Sequence, residues 1–212
     1  MSEKRLPPST DKLDLVYPTP ILKRYYANLD DLNQQLIDYL HQLEQYAGEN
    51  SDGHKKSNVA GWRSGDDLLN TDNTAIKQLE KMMIDSIQVM LSKAPLPRLD
   101  KVELDMFAWA NINRDGSYNT PHIHPTYHFA GIYYVATGTL DRHYSQNGQL
   151  EIIDPRPAAA AMPITGFEFG GTMQIKPRAG LLVIFPAWLM HSVLPFKGAG
   201  ERISIPFNIK VK

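Results

Sequence analysis

The sequence predicts a mainly β protein with supporting helices, in which a jelly-roll or cupin-like barrel follows two N-terminal helices. Two amphipathic helical segments lie in the first half of the chain, and short β-like runs between turn signals fill the second half. A chain of 212 residues is also long enough to bury one substantial core. We therefore expect a single domain over residues 1–212, made of a loose arm (1–16), a helical support (17–97) and a jelly-roll (101–212).

Apolar residues that recur at helical spacing predict the two helices. The first is expected from Leu29 to about Tyr46, with two aspartates near its start that suit a helix N-terminus. The second is expected from about Thr74 to Leu91. Between them, residues 48–70 are rich in Gly, Ser, Asn and Asp, which indicates a long loop.

The pattern changes to short β-like runs after Lys101. Turn signals such as Asp115-Gly116 and Asn147-Gly148 separate these runs, as expected for a barrel or sandwich. Residues 155–166, with three prolines and four consecutive alanines, indicate a loop near the barrel mouth. The predicted runs are 101–113, 129–136, 149–153, 172–176, 181–185, 188–194 and 202–211.

Composition narrows the classes of partner. The 22 basic and 23 acidic residues give a formal charge of −1, so there is no overall electrostatic case for a nucleic acid or an anionic membrane. The absence of cysteine excludes disulfides and thiolate metal sites. No apolar run has the length of a membrane span or the form of a secretory signal. We expect a cytoplasmic protein, and an oligomer through a barrel edge or the N-terminal arm stays open.

Two histidine-bearing segments indicate a metal site. In a strand, His122 and His124 project to the same face, where they can grip one ion while His191 arrives from a distant segment. Three ligands on one face of an octahedron are what a non-haem iron site needs, because the other positions stay open for a co-substrate and O₂. Taken alone, the pair suits a polar pocket lining equally well.

A candidate anion site follows His191 in the chain. Arg202 lies eleven positions later (202 − 191 = 11), which allows one strand, a turn and the start of the next antiparallel strand. Arg202 and Ser204 share a face and could together bind a carboxylate. An Arg in a surface ion pair is the common alternative, but apolar neighbours at 203, 205 and 207 favour a buried anion.

Short motifs with a specific order span most of the chain. They are Tyr17-Pro18-Thr19-Pro20, Gly61-Trp62-Arg63-Ser64, Trp109-Ala110-Asn111, Gly116, Asn119, His122 to Pro125, Ala130 to Tyr134, Gly148-Gln149-Leu150, Asp154-Pro155-Arg156, Phe185 to His191, and Arg202 to Asn208. In this combination the sequence resembles the 2-oxoglutarate- and Fe(II)-dependent oxygenases of phages and bacteria.

The resemblance implies a double-stranded β-helix that binds Fe(II) through His122, His124 and His191 and holds 2-oxoglutarate with Arg202 and Ser204. It also implies a dioxygenase that hydroxylates an unidentified substrate and releases succinate and CO₂, with no catalytic residue beyond the metal ligands. The wider superfamily usually has a carboxylate at the second ligand position. A neutral imidazole at His124 would leave the ion with one more unit of positive charge.

Further residues are candidates for the same site. Asn111 and Asn113 share a face and are expected to hold 2-oxoglutarate or substrate, although they could equally satisfy backbone groups at a strand end. Tyr133 is favoured over its neighbour as the tyrosine that offers a hydroxyl to a carboxylate. His128 and Trp62 are weaker candidates for substrate contact, against a solvent-exposed His and a Trp that anchors loop packing.

Two other functions remain open from the residues. A three-His cupin-type dioxygenase would keep the metal and not use 2-oxoglutarate, and it would have no need of Arg202 and Ser204. A non-catalytic barrel module would take metal only adventitiously. The sequence does not distinguish among a protein, nucleotide, lipid or metabolite substrate.

Overall fold

The computed structural model describes residues 18–47, 57–93, 103–156, 158, 161 and 170–212. The predicted arm, the middle of the loop between the helices and most of the predicted mouth loop lie outside these residues. The elements are β1 (Leu22–Tyr25), α1 (Asp30–Ala47), β2 (Asn58–Val59), β3 (Trp62–Arg63), α2 (Thr74–Lys93), β4 (Leu104–Ala108), β5 (Asn111–Asn113), β6 (Tyr118–His122), β7 (Phe129–Leu140), β8 (Leu150–Ile153), β9 (Thr172–Ile175), β10 (Leu181–Pro186), β11 (His191–Val193) and β12 (Gly198–Val211).

The strands form two antiparallel sheets. The larger sheet has the order β1-β10-β7-β12-β5-β3, with β4 also paired to β12, and the smaller sheet has the order β2-β6-β11-β8-β9. Strands that follow each other in the chain alternate between the two sheets over much of the second half. This confirms the predicted mainly β class, with the double-stranded β-helix architecture and two helices.

The period-two alternation of β12 separates two environments. Ile203, Ile205, Phe207 and Ile209 belong to the core between the larger sheet and the helices. Arg202, Ser204, Pro206 and Asn208 line a cavity between the two sheets instead. One strand therefore stabilises the fold with one face and builds a polar cavity with the other.

The two helices cover the outer face of the larger sheet, with α1 against β7 and α2 against β10. Each buries one apolar stripe, and each fully buried Leu or Ile contributes roughly 1.5–3 kcal/mol. Asn73 caps α2, because its Oδ1 accepts from the backbone N–H groups of Ala75 at 3.0 Å and Ile76 at 3.2 Å. The buried stripe residues include Leu32, Leu36 and Leu40 of α1 and Ile76, Leu79, Met83 and Ile87 of α2.

The element bounds largely confirm the predictions and correct some of them. Both helices lie within two residues of their expected bounds. The run predicted at 101–113 consists of two strands, β4 and β5. β6, which contains His122, is not among the predicted runs. β6 ends at His122, so His124 lies beyond the strand and its backbone N–H bonds to Ala187 O at 2.9 Å. Neither described helix is long and apolar enough to cross a membrane.

Candidate metal and co-substrate site

Three histidines converge at one end of the smaller sheet. His191 opens β11 directly opposite His122 of β6, and His124 follows two residues later. The ring centroid of His122 lies 4.3 Å from that of His191 and 5.1 Å from that of His124. One ligand atom from each of the three lies within 4.8 Å of the others, so the group could hold a metal ion.

Backbone hydrogen bonds set which ring nitrogens face the centre. His122 Nδ1 lies 2.7 Å from Thr120 O, and His191 Nδ1 lies 2.9 Å from Leu189 O. A carbonyl only accepts, so each Nδ1 carries the proton and each Nε2 presents a lone pair. His191 Nε2 and His124 Nε2 are 3.2 Å apart. This tautomer is the one that metal-binding histidines adopt.

Burial keeps the imidazoles of His122 and His191 neutral. Desolvation lowers the pKa of His122. For His191, desolvation and then the neighbouring His122 lower the pKa to about 3, with a smaller contribution from His124. Metal ions bind the unprotonated ring, so at neutral pH no proton competes for His191.

Arg202 is a buried cation in the same cavity. It is 1% exposed, donates from Nε to Gly148 O at 3.1 Å and from Nη1 to Ser204 Oγ at 3.2 Å, and leaves Nη2 without a hydrogen-bond partner. No carboxylate of the described residues forms an ion pair with it. Burial lowers its pKa. A desolvated, unpaired guanidinium requires an anion, which makes this end of the cavity an anion site.

Tyr134 completes the surroundings of Arg202. The guanidinium carbon lies 5.1 Å from the centre of the Tyr134 ring. The buried Tyr134 hydroxyl has no hydrogen-bond partner of good geometry among the described residues. Burial raises the pKa of Tyr134, against a smaller opposing effect of the nearby Arg202. It is therefore a neutral donor available to a ligand beside Arg202.

The histidines and Arg202 line one cavity of about 280 Å³ between the sheets. Tyr134, Ser204, Asn111 and Arg63 form one row across four strands of the larger sheet. The carboxamide oxygens of three buried asparagines in the wall have no partner. The polar side chains that line the cavity are Ser57, Arg63, Asp66, Asn111, Asn119, His122, His124, His191, Arg202, Ser204 and Asn208.

The two predicted asparagines differ in position. Asn111 lines the cavity beside Ser204, as the strand parity predicted. Asn113 pairs with Arg202 across the sheet and is 1% exposed, but it does not line the cavity. Its Nδ2 donates to Asn58 Oδ1 at 3.4 Å, so it braces the wall behind Arg202.

Three predicted residues lie elsewhere. Tyr133 faces the helices and donates its hydroxyl to Asn33 Oδ1 of α1 at 2.7 Å, because residues of odd number in β7 face outward. Trp62 packs in the helix-side core, on the opposite face of β3 from Arg63. His128 is exposed, and its Nδ1 accepts from the backbone N–H of Val211 at 2.9 Å. The structure thus corrects the expectation that these three line the site.

Sequence reasoning missed several cavity residues. Arg63 and Asn208 lie within motifs noted in the sequence. Period-two parity with Ser204 is the signal that indicates Asn208, whereas β3 is too short to give such a signal for Arg63. The sequence does not single out Tyr134, because the strand register decides which of two adjacent tyrosines faces inward. Asn119 was noted only as part of a motif, and it contributes an unpartnered Oδ1 to the wall.

A second group, His41, Glu44 and Glu201, also satisfies the distances for a metal site. Arg114 already occupies it, with bonds of 2.7 and 2.8 Å to the Glu44 carboxylate and 2.6 Å to Glu201. The bonds to Glu44 are the main cause of a raised Arg114 pKa. A metal would have to displace a bidentate guanidinium, so we interpret the group as an ion-pair network that fastens α1 to the sheet.

Solved structures with the same fold cover nearly the whole chain. A prolyl-4-hydroxylase of Pseudomonas putida superimposes with a TM-score of 0.64 and 16% identity, over 91% of this chain and 92% of that one. A viral collagen prolyl hydroxylase of Paramecium Bursaria Chlorella virus-1, in complex with 2-oxoglutarate, gives 0.57 and 14%, over 90% and 95%. HygX of Streptomyces hygroscopicus, with nickel and 2-oxoglutarate bound, gives 0.59 and 12%, over 91% and 83%. At these identities the likeness shows the fold.

Comparison of the sequence with protein families gives a more specific result than the fold. No curated protein matches the chain. Residues 107–208 match the family described as "Putative 2OG-Fe(II) oxygenase", and this range contains all three histidines, Arg202 and Ser204. This match over 102 of the 212 residues, together with the shared fold, supports a 2-oxoglutarate- and Fe(II)-dependent oxygenase.

Proposed function

We propose that the enzyme hydroxylates a C–H bond of its substrate, with Fe(II) on His122, His124 and His191 and with 2-oxoglutarate on Arg202. Per turnover, one O₂ and one 2-oxoglutarate yield the hydroxylated substrate, succinate and CO₂. The observation that carries the proposal is the unpaired, buried Arg202 in the same cavity as three converging imidazoles. We also propose a cytoplasmic location, since a ferrous enzyme needs a reducing compartment that supplies 2-oxoglutarate.

The donor set fits Fe(II). Imidazole nitrogens suit iron, and a set of three would leave room at the metal for a co-substrate and O₂. Bound there, the metal and co-substrate supply the oxidising chemistry. The chain's task is to keep three Nε2 lone pairs in place, through the Nδ1–H bonds of His122 and His191 to backbone carbonyls.

The anion site fits the distal carboxylate of 2-oxoglutarate. Arg202 offers Nη2, Ser204 offers its hydroxyl and Tyr134 offers an unpartnered O–H. Asn111 lies next to Ser204 and is placed to contact the same ligand, while Asn113 supports the wall behind Arg202. Together these groups would hold the co-substrate between the larger sheet and the histidines of the smaller one.

Spectroscopy on the loaded protein tests the proposal. Under anaerobic conditions, Fe(II) and 2-oxoglutarate should together produce a weak visible charge-transfer band that neither produces alone. Arg202→Ala should weaken 2-oxoglutarate binding at least tenfold, since it removes the buried cation of the anion site. Arg178→Ala, which removes an exposed Arg stacked on Tyr25, is the matched control and should leave the band unchanged.

Two results would contradict the proposal. One is a wild-type protein that shows no band and forms no succinate with any substrate. The other is an Arg202→Ala variant with unchanged 2-oxoglutarate affinity, which would favour direct O₂ chemistry at a three-His centre.

A further inference from the structure

We propose that the substrate carries a carboxylate that binds to Arg63, a second buried cation of the same cavity. The proposal rests on the proposed function, because it places the substrate in the cavity of the histidines and Arg202. It adds the chemical class of the substrate.

Arg63 is held beside the metal centre by a stack of planar groups. It lies on β3, at the edge of the larger sheet, two strands away from β12. Its guanidinium carbon is 4.6 Å from the centre of the Trp109 ring, and Trp109 in turn lies 5.8 Å from the ring of His124. One indole therefore separates Arg63 from a candidate ligand of the metal, within the space where a reacting substrate must lie.

Most of the donors of Arg63 are free for a ligand. A guanidinium has five N–H groups. Here one donates to Ser64 O at 2.9 Å and one to the Asp66 carboxylate, so three have no acceptor among the described residues. The Arg63 side chain is 5% exposed and that of Asp66 is 44% exposed, so the carboxylate keeps contact with solvent while the guanidinium is buried. A planar fork with N–H groups to spare, on a side chain that lines the cavity, matches a carboxylate.

The charge of the loaded cavity also favours an anion. Of the described residues in its wall, Arg63 and Arg202 carry +2 and Asp66 carries −1, which leaves +1. Fe(II) and 2-oxoglutarate add +2 and −2 and cancel. The three imidazoles would add no charge, because a metal ion binds the unprotonated, neutral ring. One substrate carboxylate would balance this residual charge of +1 beside the buried Arg63 and Arg202.

Three residues at the rim of the cavity, Phe107, Ile123 and Tyr127, indicate that the substrate carboxylate is attached to an apolar group. Phe107 and Tyr127 meet edge to face at 5.9 Å where they line the cavity, and Phe107 and Ile123 are 38% and 40% exposed. A cavity of about 280 Å³ is at the small end for a ligand site. With metal and co-substrate bound, only the reacting part of a substrate fits inside, so its apolar part would rest on this rim.

Fluorine NMR tests the proposal on protein loaded with Mn(II) and 2-oxoglutarate. The probes are 4-fluorobenzoate and its neutral isostere 4-fluorobenzamide, and Mn(II) enhances the ¹⁹F relaxation of a probe that binds near it. We expect the benzoate to bind at least tenfold more tightly than the amide. Arg63→Gln should abolish this preference and Arg63→Lys should retain part of it. Asp66→Asn should tighten benzoate binding, because it removes the competing carboxylate.

Equal binding of acid and amide to the wild-type protein would overturn the proposal, as would an unchanged preference in Arg63→Gln. Tighter binding of 4-fluorophenyl phosphate than of the benzoate would overturn the carboxylate assignment. If Arg63→Gln does not fold, the Asp66→Asn variant decides. A benzoate affinity that stays unchanged in Asp66→Asn would then contradict the role of Arg63. Binding of 2-oxoglutarate to the wild-type protein is measured separately by calorimetry. Its absence would contradict the proposed function, while the acid and amide comparison would still decide on Arg63.

Discussion

At the scale of single residues, two adjacent tyrosines of β7 serve opposite sides of the larger sheet. Tyr133 joins the sheet to α1 through its bond to Asn33, and Tyr134 presents its hydroxyl beside Arg202. Both are fully buried, so burial alone does not distinguish them. The hydrogen bonds of their hydroxyl groups distinguish them. The Tyr133 hydroxyl donates within the protein, whereas the Tyr134 hydroxyl is available to a ligand.

Replacing each tyrosine with Phe should separate stability from co-substrate binding. Tyr133→Phe leaves the buried Asn33 Oδ1 without its donor and should lower the free energy of unfolding by about 1–3 kcal/mol. It should leave 2-oxoglutarate affinity within about twofold. Tyr134→Phe should weaken 2-oxoglutarate binding by about tenfold, which corresponds to about 1.4 kcal/mol, and should cost little stability because its hydroxyl has no partner to lose. Urea unfolding and calorimetry measure the two effects, and a reversal between the variants would contradict the assigned faces.

The tyrosines also mark where sequence reasoning ends. The alternation of side chains along a strand predicts that Arg202 and Ser204 share a face, and this prediction requires only the sequence of that one strand. Choosing between Tyr133 and Tyr134 requires knowing which face of β7 meets the helices, and that depends on its pairing with β10 and β12. Arg63 was difficult for a related reason, since β3 is only two residues long and shows no period of its own.

At the scale of elements, the pairing of β7 with β12 positions the anion half of the site. Phe207 lies opposite Gly131, and its ring occupies the space that a side chain at residue 131 would need. An added Cβ at Gly131 would lie 2.2 Å from Phe207 Cζ. Phe207 is fully buried between the sheet and the helices, so its ring has no room to move aside. The same strand carries Arg202 and Ser204 on its other face.

Overpacking at this crossing should destabilise the fold in a way that a second substitution relieves. Gly131→Ala should lower the free energy of unfolding by about 1–3 kcal/mol. Phe207→Leu alone should also destabilise, through the cavity that it leaves. The double variant should be at least about 1 kcal/mol more stable than the sum of the two costs predicts, because Leu vacates the space that Ala needs. Strictly additive costs in urea unfolding would show that the contact does not couple the two strands.

At the scale of the whole molecule, the two halves of the site belong to different sheets. The candidate metal ligands come from β6, β11 and the residues just after β6, all on the smaller sheet. Arg202, Ser204 and Asn111 come from the larger sheet, which is the one that the helices support. A metal alone would therefore join neighbouring strands of one sheet, whereas 2-oxoglutarate chelated to that metal would connect the two sheets.

We propose that the chain unfolds as a single domain. Thermal unfolding should then show that the metal and 2-oxoglutarate stabilise it through different sheets. Mn(II) alone should raise the melting temperature, and 2-oxoglutarate should raise it further only when Mn(II) is present. At 100 times its dissociation constant, a ligand that binds only the folded state adds about 2.7 kcal/mol. Arg202→Ala should keep the shift from Mn(II) and lose the one from 2-oxoglutarate, since the smaller sheet is untouched. Two separate transitions would contradict the single domain. A shift from 2-oxoglutarate that persists without Mn(II), or in Arg202→Ala, would contradict the bridging role, because a ligand that joins the sheets needs both of its anchors.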